Sequence, residues 1–311
     1  MVSDKTKISI VIPTFNSSGH IATTLTTVAE TCAKVATTQI VLVDDGSRDD
    51  SFRTALETLR SLREVSFVAV ELAKNIGQTP ATAIGMSHSL GDIVITMDDD
   101  LTYPPTEFPK LLAGLSEELD FVVGAPVTYG NSRARSAASR VVRWMAVRTL
   151  GTPKDFVFSS CVAYHRNFLT RIDIPSCQID EIGWVFKHTA RFRNVSINTS
   201  QGLRMKSNYH LRSLLGVARP VTQFLSPLIS RIATWVSSLL IATTLTLSTM
   251  VLLGFLTGTK FIPGFPTVVI AIMFNIAISS MLLTLAVSIL GELRRRRTSS
   301  AFRVQRRVVQ Q

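Results

Sequence analysis

Two stretches without a charged residue, 232–256 and 267–290, limit what this 311-residue chain can fold into. Hydrocarbon offers no partner to a backbone N–H or C=O, so an apolar segment crosses a bilayer as a helix or as part of a closed barrel. At 1.5 Å per residue each stretch covers roughly 36 Å, against a hydrocarbon core of about 30 Å. The link between them, TGTKFIPGFP, holds Gly and Pro as helix breakers and one charge, Lys260. The competing reading is a helical hairpin buried in a soluble protein. Soluble helices of this length normally show a polar face, and these do not. The expectation is therefore two transmembrane helices, 232–256 and 267–290.

Charge orients them. The chain carries a formal net charge of +11 with a pI near 10.1, yet its mean hydropathy is +0.28. Basic and apolar together fit a membrane protein as readily as a nucleic-acid binder, and with two candidate spans present no nucleic-acid partner is expected. Arg212, Arg219 and Arg231 precede the first span, and Arg294, Arg295, Arg296, Arg297, Arg303, Arg306 and Arg307 follow the second. Lys and Arg near span ends mark the cytoplasmic side, so both termini are expected in the cytoplasm. The first residues, MVSDKTK, are polar and carry no signal-peptide pattern. Cys32, Cys161 and Cys177 are odd in number and lack metal-ligand spacing, which fits reduced thiols in a cytosolic domain.

Residues 1–210 alternate between strand-like and helix-like patterns. ISIVIP (Ile8–Pro13), QIVLVDDGS (Gln39–Ser47), VSFVAVEL and DIVITM read as strands. Ile21–Val35, Asp50–Leu62 and Gly77–Leu90 read as helices, the second with Asp49 or Asp50 as its cap. Such alternation implies an α/β fold with a mostly parallel, Rossmann-like sheet and right-handed crossovers. Ligands of such sheets bind at the carboxyl ends of the strands. There the sequence places PTFN after the first strand, DDGS after the second and DDD after the fourth.

The triplet Asp98, Asp99, Asp100 is the sharpest chemical signal. Adjacent carboxylates repel, so something positive is expected against them. Asp98 and Asp100, two residues apart, can reach one ion, and Mg²⁺ or Mn²⁺ favours oxygen ligands shared with substrate phosphates. An acidic cap on a helix after Pro104–Pro105 is the plainer alternative. Nearby, the segment 131–148 carries Arg133, Arg135, Arg140, Arg143 and Arg148. Such a cluster screens anionic groups, or simply forms a solvated or lipid-facing basic helix.

IPTFN, VDDGSRDDS and KNIGQTPATAIGMSHSLGDIVITMDDDLTYPP together resemble family 2 glycosyltransferases with a GT-A fold. Among these the chain resembles the polyprenyl-phosphate glycosyltransferases, which include dolichol-phosphate mannose synthase and bacterial relatives. The resemblance implies inverting transfer of a monosaccharide from a nucleotide sugar, UDP- or GDP-linked, to a polyprenyl phosphate, for cell-envelope glycan assembly or modification. It implies Asp98 and Asp100 as ligands of Mg²⁺ or Mn²⁺, with Asp98 and Asp99 at the donor diphosphate. Pro13, Thr14 and Asn16 would surround the base, Asp45 would contact the nucleoside, and Lys74 would complete the donor side. Asp100 and Arg135 would be the catalytic residues. Arg133, Arg135, Ser139, Arg204 and Arg212 would face the acceptor phosphate. The chain departs from the pattern at Ser17, where the family often has Glu, and at Thr102, where it often has Gln. It also lacks the Arg of a usual Gly-x-Arg at Gly124–Pro126 and of a further stretch at Val162.

The domain organisation expected is a cytoplasmic GT-A domain (1–210), an interfacial amphipathic segment (211–231) broken by Pro220 and Pro227, a two-helix membrane hairpin (232–290) and a basic cytoplasmic tail (291–311). Partners expected are nucleotide sugar, polyprenyl phosphate and the bilayer; a homo-oligomer is left open. Two other functions compete. Asp180–Glu181 and Gln201–Arg204 faintly resemble the motifs of a processive polysaccharide synthase, although Met205 stands where Trp belongs. A non-catalytic membrane-bound module of the same fold is the other, and the intact Asp triplet argues against it.

Overall fold

Alternation along the first strand decides the layering. In Lys7–Thr14 (β1), Ile8, Ile10 and Ile12 join one buried cluster and Val11 joins another on the opposite face. A strand buried on both faces needs a nearly continuous apolar run. Its one polar interruption, Ser9, is satisfied internally: its hydroxyl donates to Gln39 Oε1 at 2.5 Å and accepts from the Gly91 amide at 2.8 Å.

The computed structural model describes residues 7–33, 36–63, 65–127, 147, 152–172, 185, 188–189, 191–200, 202–203, 210–258, 264–299 and 304–310. It divides into two units, one of residues 1–208 with 298–311 and one of 209–297. In the first unit β1 is followed by helix Ile21–Cys32 (α1), strand Thr37–Asp44 (β2), helix Ser51–Ser61 (α2), strand Ser66–Leu72 (β3), helix Gln78–Ser87 (α3) and strand Ile93–Thr96 (β4). Then come a 3₁₀ turn at Pro105–Glu107, helix Phe108–Gly114 (α4), strand Phe121–Pro126 (β5), strand Val162–His165 (β6), helix Arg166–Arg171 (α5) and strand Phe192–Ile197 (β7). The sheet order is β7-β5-β6-β4-β1-β2-β3-β8, where β8 is Val304–Gln310. The β1–β2, β2–β3, β1–β4 and β5–β7 pairs are parallel; β4–β6, β5–β6 and β3–β8 are antiparallel. The expected mostly parallel α/β sheet is present, with an antiparallel insertion at β6 that no periodicity announced.

Helices cover both faces. The α1 residues Ile21, Leu25 and Val28 and the α2 residues Ala55, Leu56 and Leu59 pack with Ile10, Ile40 and Ile95. On the other face Ala81, Ala83 and Met86 of α3 meet Val11, Val43 and Val70, continuing into Phe121, Tyr164 and Phe168. Cys32 and Cys161 are free and buried, and burial pushes both thiols up to about 12; Cys177 lies outside the described residues. At the far edge Asp120 is buried and ties three elements together. It accepts from Arg191 Nη2 at 2.7 Å, from Arg171 Nη2 at 2.8 Å and from the Thr189 hydroxyl at 2.5 Å, and these partners hold its carboxyl below the usual range against the opposing effect of burial.

The second unit is helical: His210–Leu256 (α6) and Phe265–Ser299 (α7). Within them Arg231–Leu256 and Thr267–Ala286 are long and apolar enough to cross a membrane, with mean hydropathies of 2.1 and 2.3. Ser237 Oγ lies 2.7 Å from Ser280 Oγ and 3.0 Å from Thr284 Oγ1, joining the two helices, and Ala277 and Thr244 are buried along the same seam. Small residues and hydroxyls are what apolar helices use to approach closely.

Two expectations need correction. The segment 211–231 is not broken at Pro220 and Pro227: α6 runs through both. An interior proline removes one i→i−4 bond and crowds one carbonyl, a local cost that a long helix survives. The stretch 291–311 is not only a tail. Val304–Gln310 pairs antiparallel with β3, Val308 opposite Ala69 and Arg306 opposite Glu71. An open sheet edge offers unpaired amides and carbonyls, and a β-branched segment satisfies them.

The seat of α3 is tight. A Cβ on Gly85 would stand 2.3 Å from Val11 Cγ1 and 3.2 Å from Val43 Cγ2. Gly85→Val is expected to push α3 off the sheet and cost about 1–3 kcal/mol, as overpacking typically does. Urea unfolding of the variant beside the wild type measures it; an unchanged midpoint would mean that α3 has room.

Candidate active site

Three parallel strands end on one rim, and each end carries polar residues. Thr14 closes β1 and pairs with Asp44 at the end of β2; Val11 pairs with Thr96, and the Met97 amide still bonds Val11 O at 3.1 Å as β4 runs out. Asp98, Asp99 and Asp100 follow at once. The tool-like pattern seen in the sequence therefore becomes a spatial cluster because the strands run the same way.

The triplet splits by direction. Asp99 is buried, 3% exposed, and turns inward. Its Oδ2 accepts from Thr14 Oγ1 at 2.8 Å and from Ser17 Oγ, and His20 Nε2 lies 3.7 Å from its Oδ1. Its carbonyl accepts from Thr24 Oγ1 at 2.6 Å. Asp98 and Asp100, on either side, are half-buried. Asp98 accepts from Gln78 Nε2 and from Ser160 Oγ, the latter at 2.6 Å. Asp100 Oδ1 accepts from the Thr102 amide at 2.9 Å, and its carbonyl from the Leu203 amide at 2.6 Å. The turn is completed by Leu101 at φ +57°, a left-handed conformation uncommon for a bulky side chain and frequent where a site is held in shape.

Electrostatics mark Asp98. Burial first, and then Asp100 and Asp99 beside it, push its carboxyl above the usual range, while Ser160 and Gln78 pull it back only in part. Among the described residues no Lys or Arg forms an ion pair with Asp98 or Asp100. The side-chain and amide donors that reach them among those residues are neutral. Two half-exposed carboxylates of hard oxygen, crowded and unneutralised, fit a divalent cation that completes its shell with water and substrate phosphate. Among the described residues no group of three or more His, Cys, Asp or Glu surrounds a metal position, so protein ligands alone do not build a closed cage.

The neighbouring loops are tied into the rim. Asp45 is buried, and its carboxylate accepts from the Ile76 amide at 2.7 Å and the Gly77 amide at 2.9 Å. Asn16, at φ +52°, accepts from the Arg48 amide at 2.9 Å. Gly46, at φ +67°, passes so close to Lys74 that a Cβ there would stand 2.5 Å from the Lys74 carbonyl carbon. Lys74 itself is exposed. Beside Asp98 opens a cleft of about 470 Å³. Gln78, Thr79 and Thr82 of α3 line one wall, Ser159 and Ser160 another, and Tyr103, Phe121, Phe156, Phe158 and Tyr164 give it an aromatic floor.

The structure thus brings Pro13, Thr14, Asn16, Asp45, Lys74, Asp98, Asp99 and Asp100 to one rim. It adds Gln78 and Ser160, which sequence reasoning missed. Gln78 sits in the quoted KNIGQ stretch, but nothing in the pattern told that its amide would reach 20 residues ahead. Ser17, a departure from the family pattern, has its own task as a donor to Asp99. Val162 is buried in β6 and lines the cleft. Arg133, Arg135, Ser139 and Arg204 lie outside the described residues. Arg212 falls within α6, and its side chain lies outside the description as well.

Comparison with known proteins gives the family and the fold. Residues 9–173 match the family profile of Glycosyl transferase family 2. Relatives include a protein of Klebsiella pneumoniae named undecaprenyl-phosphate 4-deoxy-4-formamido-L-arabinose transferase, 35% identical over 164 residues, covering 52% of this chain and 50% of that protein. A namesake from Pectobacterium atrosepticum is 33% identical over 173 residues, covering 55% of this chain and 52% of its own. The chain spans about half the length of these curated relatives. Among solved structures, glucosyl-3-phosphoglycerate synthase of Mycobacterium tuberculosis, crystallised with Mn²⁺, UDP and phosphoglyceric acid, superposes with a TM-score of 0.50 at 20% identity. The overlap covers 73% of this chain and 78% of that one, and it establishes a shared GT-A fold.

A raised carboxyl pKa has a definite sign. Asp98 favours the folded state below its unfolded pKa of about 3.9 and becomes a penalty as pH rises through its raised folded value. A bound cation removes that penalty. Near neutral pH, Mn²⁺ is therefore expected to raise the melting temperature, and Asp98→Asn to abolish the Mn²⁺ shift while leaving the metal-free melting temperature equal or higher. A Mn²⁺ shift that survives in Asp98→Asn would remove Asp98 from the metal shell.

Proposed function

Because the chain belongs to glycosyl transferase family 2, we propose that it moves a monosaccharide, with inversion, from a nucleotide sugar to a polyprenyl phosphate at a membrane surface. The observation that carries this reading is the pair Asp98 and Asp100 at the end of β4, without an ion-pair partner among the described residues, in a chain that goes on into two apolar helices of spanning length. The names of the 33–35% identical relatives support undecaprenyl phosphate as the acceptor class.

The chemistry asks little of the protein beyond placement. Asp98 and Asp100 would hold Mg²⁺ or Mn²⁺, which neutralises charge on the departing nucleoside diphosphate. Gln78 and Ser160 keep Asp98 oriented, and the Thr102 amide does the same for Asp100. The Pro13–Asn16 loop, Asp45 and Lys74 shape the wall where the nucleoside would lie, and the cleft beside Asp98 takes the sugar. A phosphate acceptor is already anionic near pH 7, so no general base is required; what remains is alignment and screening of two anions. We assign the screening to Arg133, Arg135, Ser139, Arg204 and Arg212. Asp100→Asn is expected to lower transfer about a hundredfold or more, the scale of losing one preorganised electrostatic contact. The assay offers labelled UDP- and GDP-sugars with undecaprenyl phosphate and extracts the lipid-linked product. A wild-type enzyme that makes polymer, or no product from any donor, sinks the proposal.

For localisation we propose an integral membrane protein with the catalytic unit and both chain ends in the cytoplasm. Residues before α6 and after α7 belong to one folded unit, and β8 is a strand of its sheet. A chain that leaves that unit, makes two crossings and returns to it has both hairpin ends on one side. The Arg-rich flanks point to the cytoplasmic side. Lys260→Cys should react with an impermeant thiol reagent from outside the cell and Ser300→Cys should not. Labelling of both from one side excludes the hairpin.

A further inference from the structure

His20 Nε2 is buried beside the Asp triplet and has no hydrogen-bond partner among the described residues. The side chain is largely enclosed, 14% exposed, so water does not wash over it. A buried N–H left unmet costs free energy, and native structures carry such a group only with a cause. What the nitrogen faces is Asp99 Oδ1, at 3.7 Å. That is too long for a hydrogen bond, and a movement of roughly 1 Å would make one.

The surroundings hold the two groups to each other. His20 O accepts from the Thr24 amide at 3.0 Å, and Thr24 Oγ1 donates to the Asp99 carbonyl at 2.6 Å. Thr24 thus links the backbone at the start of α1 to the backbone of the triplet. Thr14 and Ser17 both donate to Oδ2 of Asp99. A carboxylate offers about four lone-pair sites on its two oxygens, so Oδ1 has capacity for a further donor. A bare ring nitrogen would be repelled by that oxygen, so the proton belongs on Nε2.

Asp99 lies in the chain between Asp98 and Asp100. Drawing those two carboxylates toward one cation shifts the turn that carries all three. We propose that His20 is a positioning residue for that cation: its Nε2–H closes onto Asp99 Oδ1 when Asp98 and Asp100 take a divalent ion, and stays unmet when they do not. The movement is shared between the ring and the turn. The unmet donor is a cost carried by the empty rim and removed on loading. A contact made in one state alone shifts the equilibrium toward that state, so His20 tightens cation binding without touching the cation. The inference rests on Asp98 and Asp100 as the metal ligands, and on no particular reaction that follows.

The test uses the full-length protein in detergent, with its histidine ring nitrogens isotopically labelled for NMR. The Nε2–H signal that disappears in His20→Gln belongs to His20. Saturating Mg²⁺, which is diamagnetic, should move that proton downfield, as a new hydrogen bond to a carboxylate does. Electron paramagnetic resonance of the free ion reads Mn²⁺ affinity in parallel. His20→Phe keeps a ring and removes the donor. It should weaken Mn²⁺ binding about tenfold, the scale of one buried hydrogen bond to a charged group, with the metal-free melting temperature equal or higher. His20→Gln, which returns an N–H at the reach of Nε2, should restore most of the affinity. A wild type that binds neither ion overturns the metal reading and this inference with it. With binding present, an Nε2–H signal that ignores Mg²⁺, as a water trapped on the ring would give, overturns this inference alone. So does Mn²⁺ affinity unchanged in His20→Phe. A His20→Phe protein that loses metal-free stability, with affinity that His20→Gln does not recover, marks a merely structural residue and also overturns it.

Discussion

The site depends on one buried carboxylate, Asp99, which does not line the cleft. Asp99 binds Thr14 and Ser17 through its side chain and Thr24 through its carbonyl. It thereby ties the end of β4 to the loop after β1 and to the first turns of α1. A carboxylate buried with good donors is held hard, because each donor would be left unsatisfied if it moved. With the middle residue of the triplet anchored inward, its two neighbours are forced to the open side. The direction of Asp98 and Asp100 is thus a consequence of where Asp99 is fastened. Replacing the family's frequent Glu by Ser17 fits the same logic, since a second carboxylate beside Asp99 would repel it and a hydroxyl donates to it.

Much of this was legible because parallel strands write themselves plainly. Runs such as ISIVIP and QIVLVDD are buried on both faces, so nearly every position is apolar and the strand ends are marked by where the polar residues begin. That placed Pro13, Thr14, Asp45 and the Asp triplet on one rim before any coordinate. What could not be read were the pairings across long sequence separation. Ser160 reaches Asp98 over 62 residues because β6 inserts antiparallel beside β4, and four-residue strands leave almost no periodic trace. The inward turn of Asp99 was equally hidden: three identical residues in a row say nothing of which one is buried. The same limit applied at the C-terminal end, where VQRRVVQ reads as a basic tail until the open edge of β3 is there to pair with it.

The helical unit shows the opposite balance. Its helices were plain from composition, and their relation to each other rests on a few polar atoms. Ser237, Ser280 and Thr284 exchange hydroxyl contacts where a helix of Leu and Ile would offer only uniform packing. Proline, usually a stop signal, misled: Pro220 and Pro227 lie inside one helix of 47 residues. The lesson is one of length. A single missing hydrogen bond decides the fate of a two-turn helix and is a small fraction of a thirteen-turn one, about 3.6 residues to the turn.

Neutral donors around Asp98 finish the argument about charge. Gln78 and Ser160 orient its oxygens and leave its charge intact, whereas an Arg in either place would have oriented and neutralised it together. Asp120, at the far edge of the same sheet, is the contrast within the molecule: two guanidinium groups and a hydroxyl hold its carboxyl below the usual range, and it is a fastening with nothing left to bind. Asp98 sits above the usual range with burial as the first cause and two like charges beside it. Among the described residues, cations surround the aspartate that is a clasp, and neutral donors surround the one left open to a ligand. That contrast between a half-buried and a buried aspartate, drawn from one chain and one sheet, sets the open carboxylate at the end of β4 apart from the fastened one at the far edge.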